Sequence, residues 1–489
     1  MTATDPHAAD QPSGTRRPRG LTLGTLIFGA VSLAALLVLV NSTDREEVTR
    51  VAPFLVITLI LYLAPLFVGS DRDLFAPAPF QGLVEASRLV PGLVTLLVYG
   101  DSQLGPFQHL SSEARVSLLL SVCAMLSLAQ IGYLAGYFGT RGKTVSRLLP
   151  QVSGRLWRPT RFLLVMLAFA LVFLVSYAQF QEQAGGSLFD VTMLAEGKRV
   201  WRDDATLSWM LRGVWLGFLP VILLGTVAFS SRSRVYTVAT VILLGISALL
   251  ITRLGQRGPA IQCLLILVML LHYLRRRIPL ALCAAGFLVL VAGTTLLGEY
   301  RQGLTPNQPL VERIASPTET MANYEAERQH MTVYAAIMHF FPDEREHLMG
   351  ESWAAVLVSL VPRWLWADKA DFAPWRETRI IYNLIGVPAP TPYPALLYAN
   401  FSWIGVFLGM FAFGSIHRGL AEWRKRAAHD ANTNLVYVLL LTTFSPTAFG
   451  ISTMLQFALP AVLALYFMML PRQRSAELQP PTALRPHHA

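Results

Sequence analysis

The sequence predicts an all-α polytopic integral membrane protein with about twelve transmembrane helices, both termini in the cytoplasm and one large extracytoplasmic loop. Hydrophobic residues make up 53% of the 489 positions and charged residues only 14%, whereas a soluble domain carries about 25% charged residues. The hydrophobic residues form runs of about 20, the length that a helix needs to cross a bilayer. The predicted inner segments hold more than twice as many Lys and Arg as the short outer loops, which indicates an N-in, C-in orientation.

Hydrophobic periodicity and turn residues divide the chain into its predicted spans. The third span contains Glu85, Arg88 and Pro91 and could instead be re-entrant or interfacial. Without it, however, the basic loop after the fourth span would lie outside the cell. The predicted spans are 21–40, 51–69, 82–100, 114–138, 160–180, 211–229, 234–253, 257–274, 279–298, 396–417, 434–450 and 453–470.

These spans define five regions of the chain. Residues 1–20 and 471–489 are predicted to be disordered cytoplasmic tails, and residues 21–298 a bundle of about nine spans. Residues 299–395 form the large outer loop with interfacial helices, and residues 396–470 supply about three further spans. A membrane protein with its one long charged segment outside is expected to act at the outer face of the bilayer.

Composition also excludes several classes of function. The net charge of +10 is typical of membrane proteins with basic inner loops, and no basic patch with interleaved aromatic residues predicts a nucleic-acid partner. Cys123, Cys263 and Cys283 lie inside apolar runs, so neither a disulfide framework nor a zinc site is indicated. No nucleotide-binding motif is found, and we expect neither a metal nor a cofactor.

Two arginines, Arg253 and Arg257, lie in the short connection between the seventh and eighth spans. Arg257 lies at the start of the predicted eighth span, with Pro259 in its first turn, and a helix N-terminus already favours anions. One hypothesis is a phosphate or pyrophosphate clamp, because Arg forms bidentate bonds to phosphate oxygens. The other is that both side chains extend to the lipid headgroups. Charge pattern alone leaves the two open.

A second group of candidates lies in the large loop, after the short apolar segment Trp353–Leu360. Trp364 and Trp366 are typical of the membrane interface, which would place Arg363 and Lys369 at headgroup height, beside the carboxylate of Asp368. Cations next to a carboxylate at this level suit chemistry on a lipid-linked substrate. An interfacial anchor with solvated ion pairs explains the same residues.

Further candidates lie at three other points of the predicted outer face. Glu299 and Arg301 follow the ninth span and could offer a base and a cation, or pair with each other. Trp201 and Arg202 could present a glycan surface, although Trp near a boundary is also typical of the interface. Asn400 opens the tenth span and needs a partner at that depth. The stretch Met321–Phe341 has helical spacing of apolar residues and predicts an amphipathic helix on the membrane or over the site.

Three of these elements together resemble the oligosaccharide repeat unit polymerases, the family of O-antigen and exopolysaccharide polymerases. The first is Gly-x-Arg-Gly at a helix start, here 255–258, and the second is Pro-Arg-x-x-Trp-x-x-Lys in the large loop, here 362–369. In this chain the second element reads Pro-Arg-Trp-Leu-Trp-Ala-Asp-Lys. The third is Asn-Phe-x-x-Gly at the following span, here 400–405, where Ser402-Trp403 replaces the Gly that many relatives have after Phe.

The resemblance implies a metal-independent glycosyltransferase of the bacterial cytoplasmic membrane. It would transfer a glycan chain from undecaprenyl pyrophosphate to a sugar hydroxyl of another lipid-linked unit, with a chain-length regulator and a flippase as further partners. Arg257 and Arg363 would be catalytic, with Arg253, Lys369 and Arg301 also binding the pyrophosphate. Asp368 and Glu299 are the candidate bases. The expected glycan-binding residues are Trp201, Arg202, Trp364, Trp366 and Asn400.

Two alternatives remain. An O-antigen ligase would use the same donor but a different acceptor, and only the Pro-Arg-x-x-Trp-x-x-Lys element favours a polymerase over it. A polytopic transporter or lipid-linked glycan flippase would require charged residues buried in mid-span and related halves. Most charges in this sequence lie at the ends of the spans, and no internal repeat is found.

Overall fold

The computed structural model describes residues 46–66, 73–99, 107, 109–139, 142–149, 151–184, 213–253, 258–279, 282, 286, 330–351, 392–444 and 457–470, and these are mostly helical. Six helical segments among them are long and apolar enough to span a membrane. The fold class is that of an all-α membrane protein, as the sequence predicts. The total of twelve spans and the N-in, C-in orientation remain predictions, and the first predicted span, 21–40, lies outside the described residues.

We number the helices of the described residues α1 to α12 in chain order, and a 3₁₀ turn, Ala64–Leu66, continues α1. Two short strands, β1 at Leu156–Trp157 and β2 at Met469–Leu470, pair antiparallel. The helices are α1 Glu46–Leu63, α2 Pro77–Tyr99, α3 Ser112–Phe138, α4 Gly142–Leu148, α5 Pro159–Ala184, α6 Phe218–Ser231, α7 Arg234–Arg253, α8 Gly258–Leu274, α9 His330–Phe340, α10 Tyr393–Lys425, α11 Ala431–Thr443 and α12 Leu459–Met468.

Helices α5 and α7 show why this fold belongs in a bilayer. Only 17% of the apolar window of each is buried inside the protein. Their outward faces carry large apolar side chains that are about half exposed or more, among them Leu163, Leu171, Val238 and Ile242. A soluble monomer rarely exposes a contiguous apolar patch of this kind, so both faces are suited to contact with lipid.

Helix α2 corresponds to the weak third span, and it runs unbroken through Glu85, Arg88 and Pro91. It packs closely on α1, because a Cβ added at Gly82 would collide with the carbonyl oxygen of Tyr62. It is not among the six strongly apolar segments. Packing against neighbouring helices therefore stabilises α2, which hydrophobicity alone predicts poorly.

Helix α10 is not one straight helix. Phe401 (φ −136°, ψ 17°) and Ser402 (φ 58°, ψ −159°) leave helical geometry, and the positive φ of Ser402 is one that non-glycine residues seldom adopt. We call residues 393–400 the first arm and residues 403–425 the second arm. At about 1.5 Å per residue the second arm alone is about 34 Å long, enough to cross the hydrocarbon core.

The two arms of α10 fold back on each other as an antiparallel hairpin. The rings of Tyr393 and Phe413 are 5.7 Å apart, and the side chain of Leu397 lies against Gly409. In a straight helix the first pair would be about 30 Å apart. The predicted tenth span, 396–417, is therefore wrong at its start, because its first residues belong to the opposite arm.

Helix α9 corrects a second expectation for the large loop. The sequence predicts an amphipathic helix within 321–341, on the membrane or over the site. The described part excludes a position on the membrane surface, since five consecutive residues are at most 1% exposed: Val333, Tyr334, Ala335, Ala336 and Ile337. The helix packs against α2, α3 and α10 within one hydrophobic core. A helix that is apolar all round is buried rather than interfacial, and this part of the loop belongs to the bundle.

Glycine allows α10 and α3 to pack at very short range. A Cβ at Gly414 would collide with the backbone of Tyr133, and one at Gly136 would collide with the backbone of Phe411. The sequence predicts that small residues such as Gly405, Gly409 and Gly414 permit close helix packing. Gly414 does so between two helices, whereas Gly405 and Gly409 allow the two arms of the hairpin to approach each other.

Candidate functional site

Most of the predicted site residues cannot be placed, because they lie outside the described residues. Arg253 is the last residue of α7, and α8 begins at Gly258. The predicted start of this helix at 257 is confirmed to within one residue, whereas Arg257 itself lies outside the described residues and its role stays a prediction. The roles proposed for the remaining residues stay predictions; these residues are Glu299, Arg301, Arg363, Asp368, Lys369, Trp201, Arg202, Trp364 and Trp366.

Asn400 is fully buried at the turn of the α10 hairpin. Its amide nitrogen donates to the Leu396 carbonyl at 2.8 Å, and its amide oxygen accepts from the backbone N–H of Gly350 at 3.2 Å. The side chain thus joins the first arm to the segment that follows α9. This geometry supports a positioning role for Asn400, and direct contact with a glycan stays a prediction.

The segment after α9 caps the first arm of the hairpin. The last carbonyls of a helix lack partners within it, and here the N–H groups of Leu348 and Met349 donate to the carbonyls of Ala399 and Asn400 at 2.9 and 3.0 Å. The Tyr398 hydroxyl donates to the Phe341 carbonyl at 3.2 Å. The Asn-Phe-x-x-Gly element and residues 341–350 therefore form one structural unit.

Replacing Asn400 by alanine should loosen this unit. The backbone N–H of Gly350 would lose its side-chain acceptor, and an unpaired buried polar group costs about 1–3 kcal/mol. We expect a lower melting temperature in detergent and faster amide hydrogen exchange across 341–351. The exposed neighbour Ile404 supplies the control, because its side chain is 73% exposed and I404A leaves these hydrogen bonds in place. Equal exchange in N400A and wild type would contradict the bracing role.

A buried ion pair lies on α2, where the sequence indicates only an irregular span. The Arg88 guanidinium donates to Glu85 Oε1 at 2.7 Å, and the Gln81 amide donates to the same oxygen at 3.3 Å. The Glu85 side chain is 3% exposed and that of Arg88 is 29% exposed. The spacing of Gln81, Glu85 and Arg88 places all three on one helix face. The sequence alone could therefore have indicated that they interact.

Aromatic residues from three other elements surround this ion pair. The guanidinium of Arg88 lies 5.8 Å from the ring centre of Tyr393, at the start of the first arm. The hydroxyl of Tyr334 on α9 is buried without a hydrogen-bond partner in the part of the chain that the structure describes. Tyr334 and Tyr62 of α1 both lie near Glu85. The pair therefore lies where the large-loop helix, the hairpin and α2 meet.

A second polar cluster lies at the ends of α8 and α10, a level that the charge distribution predicts to be cytoplasmic. Asp73, before α2, is 3.1 Å from the Arg424 guanidinium and 3.4 Å from His272 Nε2, and it accepts from the Tyr273 hydroxyl at 3.3 Å. Arg424 also lies over the ring of Tyr273, 4.0 Å from its centre. The cluster fastens the ends of α8 and α10 to the α1–α2 connection.

The partners of Asp73 make the cluster sensitive to acid. Burial alone raises the pKa of Asp73, but the hydrogen bond from His272 and the charge of Arg424 together hold it below its ordinary value of 3.8. A carboxylate with a lowered folded-state pKa stabilises the protein above its unfolded pKa and loses that contribution as pH falls through the folded one. We expect stability to decline below about pH 4.

Asp73→Asn tests this linkage. The variant should be less stable at pH 7 by about 1.5–3 kcal/mol, because it loses hydrogen bonds to a charged acceptor. Its melting temperature should also fall less than that of the wild type between pH 5 and pH 3. Parallel acid profiles for the two proteins would show that another carboxylate governs the response.

No metal site is found in the described part of the chain, where no group of three or more His, Cys, Asp or Glu is arranged to hold an ion. Cys123 and Cys263 are buried and unpaired. Comparisons with known protein families, with curated proteins and with solved structures find no match.

Proposed function

We propose that this protein polymerises lipid-linked oligosaccharide repeat units at the outer face of a bacterial cytoplasmic membrane. The observation that carries the proposal is the α10 hairpin, whose turn is formed by the Asn400-to-Gly405 element. This turn is joined by hydrogen bonds to residues 348–350 of the large loop. Residues 348–350 belong to the same predicted outer loop as Arg363 and Lys369, which supports a link between that loop and the element that completes the family resemblance.

Glycine is required at the end of that element for a physical reason. A Cβ at Gly405 would collide with the side chain of Phe401 and approach the Leu397 carbonyl to 2.9 Å. Ser402 takes the positive φ at the turn. The Asn-Phe-x-x-Gly pattern therefore has a structural role here, and the positive φ of Ser402 is a backbone conformation that a glycine after Phe401 would adopt without strain.

The proposed reaction is a displacement at the anomeric carbon of the donor. The acceptor sugar hydroxyl attacks that carbon, the bond from the carbon to the pyrophosphate oxygen breaks, and the pyrophosphate leaves with the electron pair. Asp368 or Glu299 accepts the hydroxyl proton. Arg257 and Arg363 stabilise the charge that develops on the leaving group, with Arg253, Lys369 and Arg301 also in contact with it.

The position of Arg257 supports the pyrophosphate assignment. Gly258 opens α8, is exposed, and has open space around its Cα. The free N–H groups of the first turn and the helix dipole favour an anion at this end. An arginine that directly precedes this turn adds bidentate donors to the same site.

The first test is the size profile of the surface glycan from a strain that lacks the gene, complemented with wild type, R257A or R363A. We expect single repeat units without the gene, full polymer with wild type, and single units with either variant. R234A is the matched control, because Arg234 is exposed at the opposite end of α7. It should restore the polymer at equal protein abundance.

Other profiles would lead to other assignments. An unchanged glycan in the deletion strain would refute the polymerase proposal. Full-length polymer that stays on its lipid carrier would instead indicate a ligase. Rescue by both R257A and R363A would leave the polymerase assignment standing and remove these two residues from its chemistry.

The buried Glu85–Arg88 pair favours a second candidate, a polytopic transporter or lipid-linked glycan flippase. Ionisable residues buried at mid-helix are a feature of transport pathways, and the sequence alone did not show that Glu85 is almost fully buried. Accumulation of lipid-linked repeat units on the inner leaflet of the deletion strain would support transport. Accumulation on the outer leaflet would support polymerisation.

A further inference from the structure

A groove lies between α1 and α3 on the side of the bundle predicted to face outward. Its volume is about 690 Å³. Phe54 and Trp403 form its walls, and Ser117, Ser121 and Ala124 line it along one face of α3. These three residues follow a helical spacing, and their small side chains leave room for another molecule against the helix.

The groove has defined ends. At its outer end, Arg50 Nη1 and Glu113 Oε1 form an ion pair of 2.8 Å, with side chains 45% and 78% exposed. At its inner end the two helices touch, because the Thr58 and Ser127 hydroxyls are 2.9 Å apart. From Glu113 to Ala124 the groove runs about 16 Å along α3, close to half of a hydrocarbon core about 30 Å thick.

These dimensions and charges indicate one kind of occupant. A groove that spans one leaflet and is lined by apolar and small side chains suits a single hydrocarbon chain. Its mouth offers both a cation and an anion, so it complements a headgroup with a phosphate and an ammonium group. A lipid pyrophosphate, which has only negative charge, would meet the Glu113 carboxylate as a repulsive neighbour.

We propose that this groove binds a zwitterionic phospholipid of the outer leaflet, such as phosphatidylethanolamine. One acyl chain lies along Ser117, Ser121 and Ala124 beside Trp403, the phosphate faces Arg50, and the ammonium faces Glu113. The lipid thereby contacts the turn of the α10 hairpin through Trp403. This site does not depend on the proposed polymerase activity, and nothing in that proposal requires it.

Native mass spectrometry of the full-length protein tests the site, with 1-palmitoyl-2-oleoyl phosphatidylethanolamine and its phosphatidylglycerol counterpart as probes. The wild type should prefer the ethanolamine lipid by about threefold to fivefold, the range of an exposed ion pair. S121F should weaken its binding about tenfold, because the phenyl ring displaces methylenes that each contribute several-fold. E113Q should remove the preference between headgroups, because it weakens phosphatidylethanolamine binding and relieves the repulsion that Glu113 exerts on the anionic phosphatidylglycerol headgroup.

Two controls keep the result interpretable. V238F adds the same aromatic ring on the exposed, lipid-facing side of α7 and should leave binding unchanged. S117F repeats the filling of the groove at a second position in case S121F does not fold. Equal binding of the two lipids to the wild type, or binding that survives both serine variants, would overturn the proposal in favour of annular lipid only. Selective loss of undecaprenyl phosphate binding in S121F would overturn it in favour of the lipid carrier.

Discussion

Gly414→Ala should destabilise the protein by at least about 1–3 kcal/mol, the usual cost of overpacking a well-packed core. The new methyl group would collide with the Tyr133 carbonyl and press on the backbone N–H of Tyr137. Backbone atoms cannot move aside as the end of a flexible side chain can, so α3 and α10 would have to separate. We expect a lower melting temperature in detergent and faster proteolysis of the α10 region.

Gly245→Ala is the matched control, because it makes the same change in α7 at a position where a Cβ would meet no atom of the described residues within 4 Å. Alanine is favoured over glycine in a helix interior by up to about 1 kcal/mol, so this variant should be as stable as the wild type or more stable. Gly136→Ala, on the opposite side of the same contact, should resemble Gly414→Ala. Stability equal to wild type in both contact variants would refute the close approach of α3 and α10.

Glu85→Leu should have the second large effect, a loss of about 3 kcal/mol, the lower end of the range for breaking a buried ion pair. The lower end applies because the Arg88 side chain keeps 29% of its surface exposed. The variant removes the buried Glu85 oxygen to which the Arg88 guanidinium and the Gln81 amide both donate. The loss should appear as a lower melting temperature and as lower abundance of the protein in membranes.

The double variant E85L/R88M separates structure from function at this position. Replacing both charges by apolar side chains of similar size is often neutral or stabilising, so the double variant should recover most of the lost stability. Glu113→Gln, at an exposed pair, should cost no more than about 1 kcal/mol. A stable E85L/R88M protein that fails to restore the glycan would show that the charges serve the activity. An unstable one would contradict the ion-pair explanation.

Several elements follow from the sequence because their causes are local. The helices at 112–138, 159–184 and 234–253 coincide with the predicted spans within a few residues, since long apolar runs leave the backbone of a spanning segment no alternative to internal hydrogen bonds. The helix start at Gly258 was also predictable, because Pro259 favours the first turn of a helix. The sequence predicts that Gly414 allows close helix packing, but it does not identify α3 as the helix that packs there.

The candidate site was less predictable, because its geometry depends on contacts between distant residues. The sequence indicated that Asn400 needs a partner, but the partner is Gly350, fifty residues away in the chain. In the sequence, Glu85 and Arg88 only made the third span less hydrophobic and its prediction less secure. Their meaning depends on Tyr393 and Tyr334, which other elements bring next to them.

The sequence by itself determined the all-α membrane class and most of the helices, because hydrophobic length and local helix signals act within a few turns of the chain. Only the tertiary structure decided that α10 folds back at Phe401 and Ser402, that α9 is buried inside the bundle, and that the Glu85–Arg88 pair lies between them. The sequence pattern of a hairpin with two apolar arms is nearly the same as that of one long apolar helix. What separates them is packing, since the first arm is stabilised by contacts with the second arm and by hydrogen bonds from residues 348–350.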